Sequence, residues 1–181
     1  MSIYPYKAEQ YINEADKSLD RMKSSKTIYE IKEAFISFLN ASRFVFQSWN
    51  SDFKKLNGFA QWWKTKDEFL KSDELCKFFR KLRNNVIKGG KEPFWCNQTI
   101  KGPVKLKGPL QIGPQGILKG STERGRLKWT PIVVNGVITT VGLRDVPESF
   151  KGVDPIGLCE KYINILRDII DEFILTFSNS K

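Results

Sequence analysis

The segment Phe78-Phe-Arg-Lys-Leu-Arg-Asn-Asn-Val-Ile-Lys-Gly-Gly90 carries the side chains best suited to gripping an anion: Arg80, Arg83, Asn84 and Lys88. A guanidinium offers a fixed fork of N–H donors that matches a phosphate, an amide adds a neutral donor, and an ammonium supplies a mobile point charge. With Leu75 at the centre of a buried stripe and a turn every 3.6 residues, Arg80 and Arg83 fall on its flank, roughly 60° apart. Lys77, Lys81 and Lys88 follow the outward face at helical spacing. Two readings are open for the arginines. They form a semi-buried clamp on a phosphate, or they are structural, capping carbonyls or pairing with acids on the long N-terminal helices.

A second basic cluster lies in Lys119-Gly-Ser-Thr-Glu-Arg-Gly-Arg-Leu-Lys-Trp129. It lacks the glycine, lysine and hydroxyl spacing of a nucleotide-binding P-loop. Arg124, Arg126, Lys128 and Trp129 remain a candidate contact for single-stranded nucleic acid, set against an exposed loop whose tryptophan packs back on the bundle.

Much chemistry is excluded by what the chain lacks. It has no histidine, which removes the commonest general base and metal ligand and rules out any Ser–His, Cys–His or His-ligated zinc mechanism. Cys76, Cys96 and Cys159 are scattered without a C-x-x-C pair, and read as reduced thiols packed as small hydrophobes. The acidic pairs Asp67-Glu68, Asp73-Glu74 and Asp171-Glu172 point their neighbours in different directions on a helix. No catalytic residue, metal or cofactor is assigned on these grounds.

Three sections position these groups. Residues 6–88 contain one glycine, Gly58, and no proline, whereas residues 89–147 hold ten of the thirteen glycines and six of the eight prolines. In the first section, an opener from Lys7 to about Lys23 precedes a long helix begun by Thr27, with Ile28, Ile31, Phe35, Phe38, Leu39, Ser42, Phe46 and Trp49 recurring at three- and four-residue steps. A third helix runs from Phe59 to Leu70. Ser72 or Asp73 caps a fourth, which Gly89-Gly90 ends. Asp154-Pro155 starts a last helix whose apolar face runs from Cys159 through Leu166 to Phe177. Trp49, Trp62, Trp63 and Trp95 read as core or interface residues rather than a stacking platform. Between the helical sections, Thr130 to Val141 is a β-hairpin signal turned at Asn135-Gly136. The pairs Gly102-Pro103, Gly108-Pro109 and Gly113-Pro114 separate short pieces such as Val104–Lys107.

The net charge of +10 is uneven: +6 over residues 1–90 (17 basic, 11 acidic), +5 over 91–150 (9 and 4) and −1 over 151–181 (4 and 5). Such an excess draws polyanions at long range. The N-terminus shows no secretory signal and no apolar run suits a bilayer, so a cytoplasmic protein without a membrane partner is expected.

Ala34-Phe-Ile-Ser-Phe-Leu-Asn-Ala-Ser-Arg43, Trp62-Trp63, Leu82-Arg83-Asn84 and the helix containing Cys159-Glu-Lys-Tyr162 together resemble the HEPN superfamily of bacterial helical-bundle proteins. That family's signature is an arginine, four to six residues, then a histidine; Arg83 matches the arginine, and Lys88 stands at the histidine position. In active members the pair cleaves RNA without metal. Lysine binds phosphate but is a poor base unless desolvated, so the resemblance implies RNA association without ribonuclease activity in a defence, toxin–antitoxin or RNA-regulatory setting. Its partners would be RNA or another polyanion and a second copy or other protein. The fold expected is mainly α, one domain over 1–181, with about five helices within 6–90 and 154–178 and a small β-hairpin or sheet insertion at 91–147. The alternative is a non-catalytic protein-interaction module, suggested by the excess of apolar helix surface. A weaker third is an enzyme using Lys88 or a carboxylate as base.

Overall fold

The computed structural model describes residues 3–100, 132–134 and 137–178. They form five α-helices, α1 (Tyr6–Ser24), α2 (Ile28–Phe53), α3 (Phe59–Ser72), α4 (Glu74–Arg83) and α5 (Pro155–Ser178), and three strands, β1 (Phe94–Ile100), β2 (Ile132–Val134) and β3 (Val137–Leu143). The chain is thus mainly α, with a small antiparallel sheet between the fourth and last helices. It divides into two compact units, residues 1–93 with 156–181, and residues 94–155. Among the described residues no helix is long and apolar enough to cross a membrane.

The helical unit begins where local chemistry says it should. Thr27 Oγ1 accepts from the Glu30 N–H at 3.2 Å while the Thr27 N–H donates to Glu30 Oε2 at 3.2 Å, a reciprocal cap that satisfies two of the donors left free at a helix start. Asp73 Oδ1 accepts from the Cys76 N–H at 2.8 Å and caps α4. Gly58, at the start of α3, has φ +79, a left-handed conformation that glycine adopts at little cost and a β-carbon disfavours.

Aromatic rings fill the interior. Trp49 is fully buried and meets Trp62 and Trp63 edge-on, with centroids at 5.5 and 5.6 Å, and Phe173 in a stack at 6.1 Å. Burying such a ring contributes about 1.5–3 kcal/mol. Further along, Phe38 packs on Phe79, which stacks on Tyr162 at 4.4 Å and 5°. These contacts tie α2, α4 and α5 together through the face that the apolar periodicity marks on each.

The fourth helix does not continue as an α-helix to the glycines. After Arg83 the chain widens into a π turn over Asn84–Lys88, and the Gly89 N–H donates to the Asn84 carbonyl, five residues back, at 3.2 Å. The wide turn needs a glycine after it: a β-carbon on Gly89 would lie 2.8 Å from the Asn85 carbonyl oxygen. Gly90, at φ +60, then turns the chain away.

In the second unit, strand order is β1-β3-β2 and both pairings are antiparallel. Phe94 stands opposite Leu143 and Ile132 opposite Thr139. Arg144 Nε donates to the Phe94 carbonyl at 3.0 Å across the end of the β1–β3 pair. The β2–β3 hairpin follows the sequence signal, although Asn135-Gly136 lies outside the described residues, as do Val104–Lys107 and the Gly-Pro pairs at 102, 108 and 113. Strand β1 was not foreseen, because Phe-Trp-Cys-Asn-Gln-Thr-Ile shows no regular alternation of apolar and polar residues.

Candidate anion-binding cleft

Three faces of the helical unit open onto one cleft of about 330 Å³. From α2 come Leu39, Arg43 and Phe46, spaced i, i+4, i+7; from α3 come Trp63, Asp67 and Leu70 at the same spacing. Helix α4 and its π turn supply Cys76, Phe79, Arg80, Arg83, Asn84 and Lys88, and Tyr162 completes the wall from α5. The α2 and α3 sets are each one helical stripe, since residues three and four apart share a face.

The cleft brings together four of the residues singled out in the sequence, Arg80, Arg83, Asn84 and Lys88. Lys88 arrives by a route the 3.6-residue ruler misses. On an unbroken α-helix it would follow the outward face with Lys77 and Lys81, which are exposed. The π turn lengthens the hydrogen-bond ladder to i→i+5, which changes the direction in which Lys88 leaves the chain, and Lys88 lines the cleft. Arg124, Arg126, Lys128 and Trp129 lie outside the described residues.

Arg43 is the basic cleft residue that sequence reasoning passed over. It appeared only as the last residue of a matching stretch, yet it is the sole basic side chain between Lys32 and Lys54. A lone cation on the apolar middle of a buried helix was the available signal. Its Nη2 and Nε donate to the Gln47 side-chain oxygen at 3.1 and 3.2 Å in the amide orientation that satisfies both groups.

Among the described residues neither Arg80 nor Arg83 joins a salt bridge with a carboxylate. Arg83 Nη1 donates to Asn84 Oδ1 at 3.2 Å, but Arg83 Nε is buried with no acceptor. Burial, and then the like charge of Arg43, lower the Arg83 pKa. The one carboxylate of the cleft, Asp67, is bound by Lys71. Other acids of the helical unit are paired among themselves with other groups: Glu172 with Lys66 and the Trp62 indole N–H, Glu160 with Lys23, Asp16 with Arg167. The structural reading of Arg80 and Arg83, as partners of acids on the N-terminal helices, therefore finds no such partner here.

The remaining polar groups in the wall are held neutral. Burial pushes the Cys76 thiol well above its ordinary range, with the Asp73 carboxylate adding to the effect. Burial does the same to the Tyr162 phenol. Both stay protonated through the neutral range, so neither offers a proton acceptor there. Among the described residues no group of three or more Cys, Asp or Glu side chains could hold a metal ion.

The tryptophans divide. Trp49 is core, and Trp95 is buried in the second unit. Trp62 and Trp63 are half-buried, and Trp63 faces the cleft beside Phe46, its centroid 6.2 Å away. No known family, curated protein or solved structure matches this chain.

Proposed function

We propose that this cleft holds the phosphate of RNA, and that the chain is a HEPN-like, RNA-associated protein that binds its target without cutting it. The observation that carries the reading is the convergence of Arg43, Arg80, Arg83 and Lys88 on a cleft whose only carboxylate is already paired. Like charges held together with a buried donor unanswered cost free energy in the unliganded protein, and an anion removes that cost. The absence of cutting follows from the side chains present. Cleavage at a ribose 2′-hydroxyl needs a group that both takes and gives a proton near neutral pH. The chain has no histidine, and the cleft's thiol and phenol remain protonated. A cytoplasmic role in defence, a toxin–antitoxin pair or RNA regulation, as a homodimer or with a protein partner, belongs to the same proposal.

The test is the salt dependence of binding to a labelled single-stranded RNA. Each phosphate neutralised contributes about −0.7 to the slope of log K against log salt for single strands. One phosphate held in the cleft gives a slope near −0.7 from the cleft itself, and an Arg80→Gln, Arg83→Gln variant loses most of it, with the RNA recovered intact. A slope of zero, or one that the double variant leaves unchanged, returns the chain to the interaction-module reading. Cleavage products that vanish with Lys88→Ala would make it an enzyme instead.

A further inference from the structure

On another side of α2, away from the cleft, α1 and α2 leave a groove of about 390 Å³ between them. Each helix lines it with one stripe at i, i+3, i+4 and i+7, from Glu14 to Arg21 on α1 and from Ser37 to Phe44 on α2. The two helices run antiparallel, with Lys7 bound to Asp52 and the Tyr11 ring 5.2 Å from that of Phe44. This register sets Glu14 level with Phe44 at one end of the groove and Arg21 level with Ser37 at the other. One end therefore carries an acid and a large apolar ring, the other a base and a small side chain. Phe44 is 43% exposed, although it lies well inside a 26-residue helix. The Ser37 and Ser18 hydroxyls donate to carbonyls of their own helices, those of Glu33 at 3.0 Å and Glu14 at 2.8 Å. An apolar group can cover them without leaving a donor unanswered. Among the described residues neither Glu14 nor Arg21 joins an ion pair.

We infer that this groove is the contact face of a homodimer, in which a second copy lies on it about a two-fold axis crossing α1 and α2 near Ser18 and Ala41. A two-fold contact requires a patch complementary to itself, and the two ends of this groove complement each other in both charge and size. Glu14 of each copy meets Arg21 of the other, and Phe44 of each meets Ser37 of the other. Asn40, beside the axis, meets its own mate, and an amide can both donate and accept. Lys17, also near the axis, is three residues from Glu14 on its own helix, whose carboxylate offsets its charge. A partner of unrelated sequence gives no reason for one end to be the counterpart of the other, and a second copy does. A face two helices wide and as long as the 19 residues of α1 measures about 20 by 28 Å and buries about 1,100 Å² over both copies. That is near the lower bound for a specific interface, which suits a dimer of micromolar affinity. On α2 the groove stripe lies roughly 140° around the helix from Leu39, Arg43 and Phe46, so each cleft stays complete within one copy. The inference selects the homodimer from the partners in the reading above and names its face, and it stands apart from the cleft's ligand.

Sedimentation equilibrium of the full chain over the micromolar range should give twice the mass of one copy. Charge reversal tests the register. Glu14→Arg and Arg21→Glu each place like charges together twice per dimer and should weaken it at least about tenfold. Mixed in equal amounts, the two variants should dimerise with each other as tightly as the parent, because every pair then joins opposite charges. Phe44→Glu should give a monomer that is folded by circular dichroism and binds inorganic phosphate as the parent does. A parent that stays monomeric overturns the inference, whether or not phosphate binds. A dimer that survives Phe44→Glu, or a mixture no tighter than the single variants, overturns it as well. A dimer lost instead with Arg80→Gln, Arg83→Gln puts the interface at the cleft and refutes the groove. Failure to bind phosphate with the dimer and its charge register intact defeats the cleft reading alone.

Discussion

Replacing Arg83 with methionine distinguishes a ligand-binding arginine from a structural one, because the two roles give opposite signs. Methionine keeps most of the aliphatic reach and removes the charge and the donors. In the free protein Arg83 is costly on two counts. Its Nε is buried without an acceptor, a situation worth about 1–3 kcal/mol of destabilisation. Its charge also stands against Arg43, a repulsion that solvent screening holds below about 1 kcal/mol at this partly open site. Against these, the substitution forfeits the hydrogen bond to Asn84 Oδ1, which contributes about 0.5–1.5 kcal/mol. The balance is a gain of about 1 kcal/mol, or about 2–4 °C in Tm for a chain of 181 residues. Ligand affinity moves the other way. Loss of a charge-assisted hydrogen bond costs about 1.5–3 kcal/mol, a fall of about 10- to 150-fold. Scanning calorimetry with and without inorganic phosphate reads both effects: the variant starts higher and gains less. A variant that melts several degrees below the parent would refute the reasoning, since Arg83 would then be supporting the fold.

Other consequences follow from the same geometry. Gly89→Ala forces a β-carbon against the Asn85 carbonyl oxygen. It should cost about 1–3 kcal/mol by overpacking and weaken phosphate binding by moving Lys88, whereas Lys88→Gln weakens binding with Tm unchanged. Thr27→Ala removes the reciprocal cap of α2 and should lower stability by about 1 kcal/mol in denaturant unfolding, without altering ligand affinity. Burial raises the Tyr162 phenol from 10.0 and the Cys76 thiol from 9.0. Both groups therefore keep their protons in the folded chain at pH values where the unfolded chain loses them. Their contribution is full below about pH 9 and is lost as pH climbs above it. Tyr162→Phe should flatten the decline above about pH 10, read as Tm against pH.

The fold was legible wherever one local rule governed a long segment. Helix α2 announced itself through three- and four-residue spacing and the Thr27–Glu30 pair, and α5 through Asp154-Pro155 and its continuous apolar face. The β2–β3 hairpin was visible because β-branched runs flank Asn135-Gly136. Strand β1 was not, since its partner is β3, some forty residues away in sequence, and no alternation marks it. The cleft was legible in part for the same reason. Arg80 and Arg83 lie on the flank that periodicity gives them. Lys88 does not obey that periodicity, because the hydrogen-bond ladder lengthens by one residue after Arg83, and nothing in Asn84-Asn85-Val86-Ile87 announces the change. Trp63 read as core or interface, and Arg43 stood only at the end of the stretch that carries the resemblance. Only the meeting of α2, α3 and α4 turns one side of those helices into the wall of a cleft.

The Arg83 Nε–H group can be watched directly in a nitrogen–proton correlation spectrum while inorganic phosphate is added to the full chain. If the cleft is built to receive an anion, that signal should move with phosphate and saturate, and the Arg43 side-chain signals should move at the same concentrations. A signal already shifted by a protein acceptor, and still when phosphate is added, would contradict the claim that these guanidiniums await a ligand.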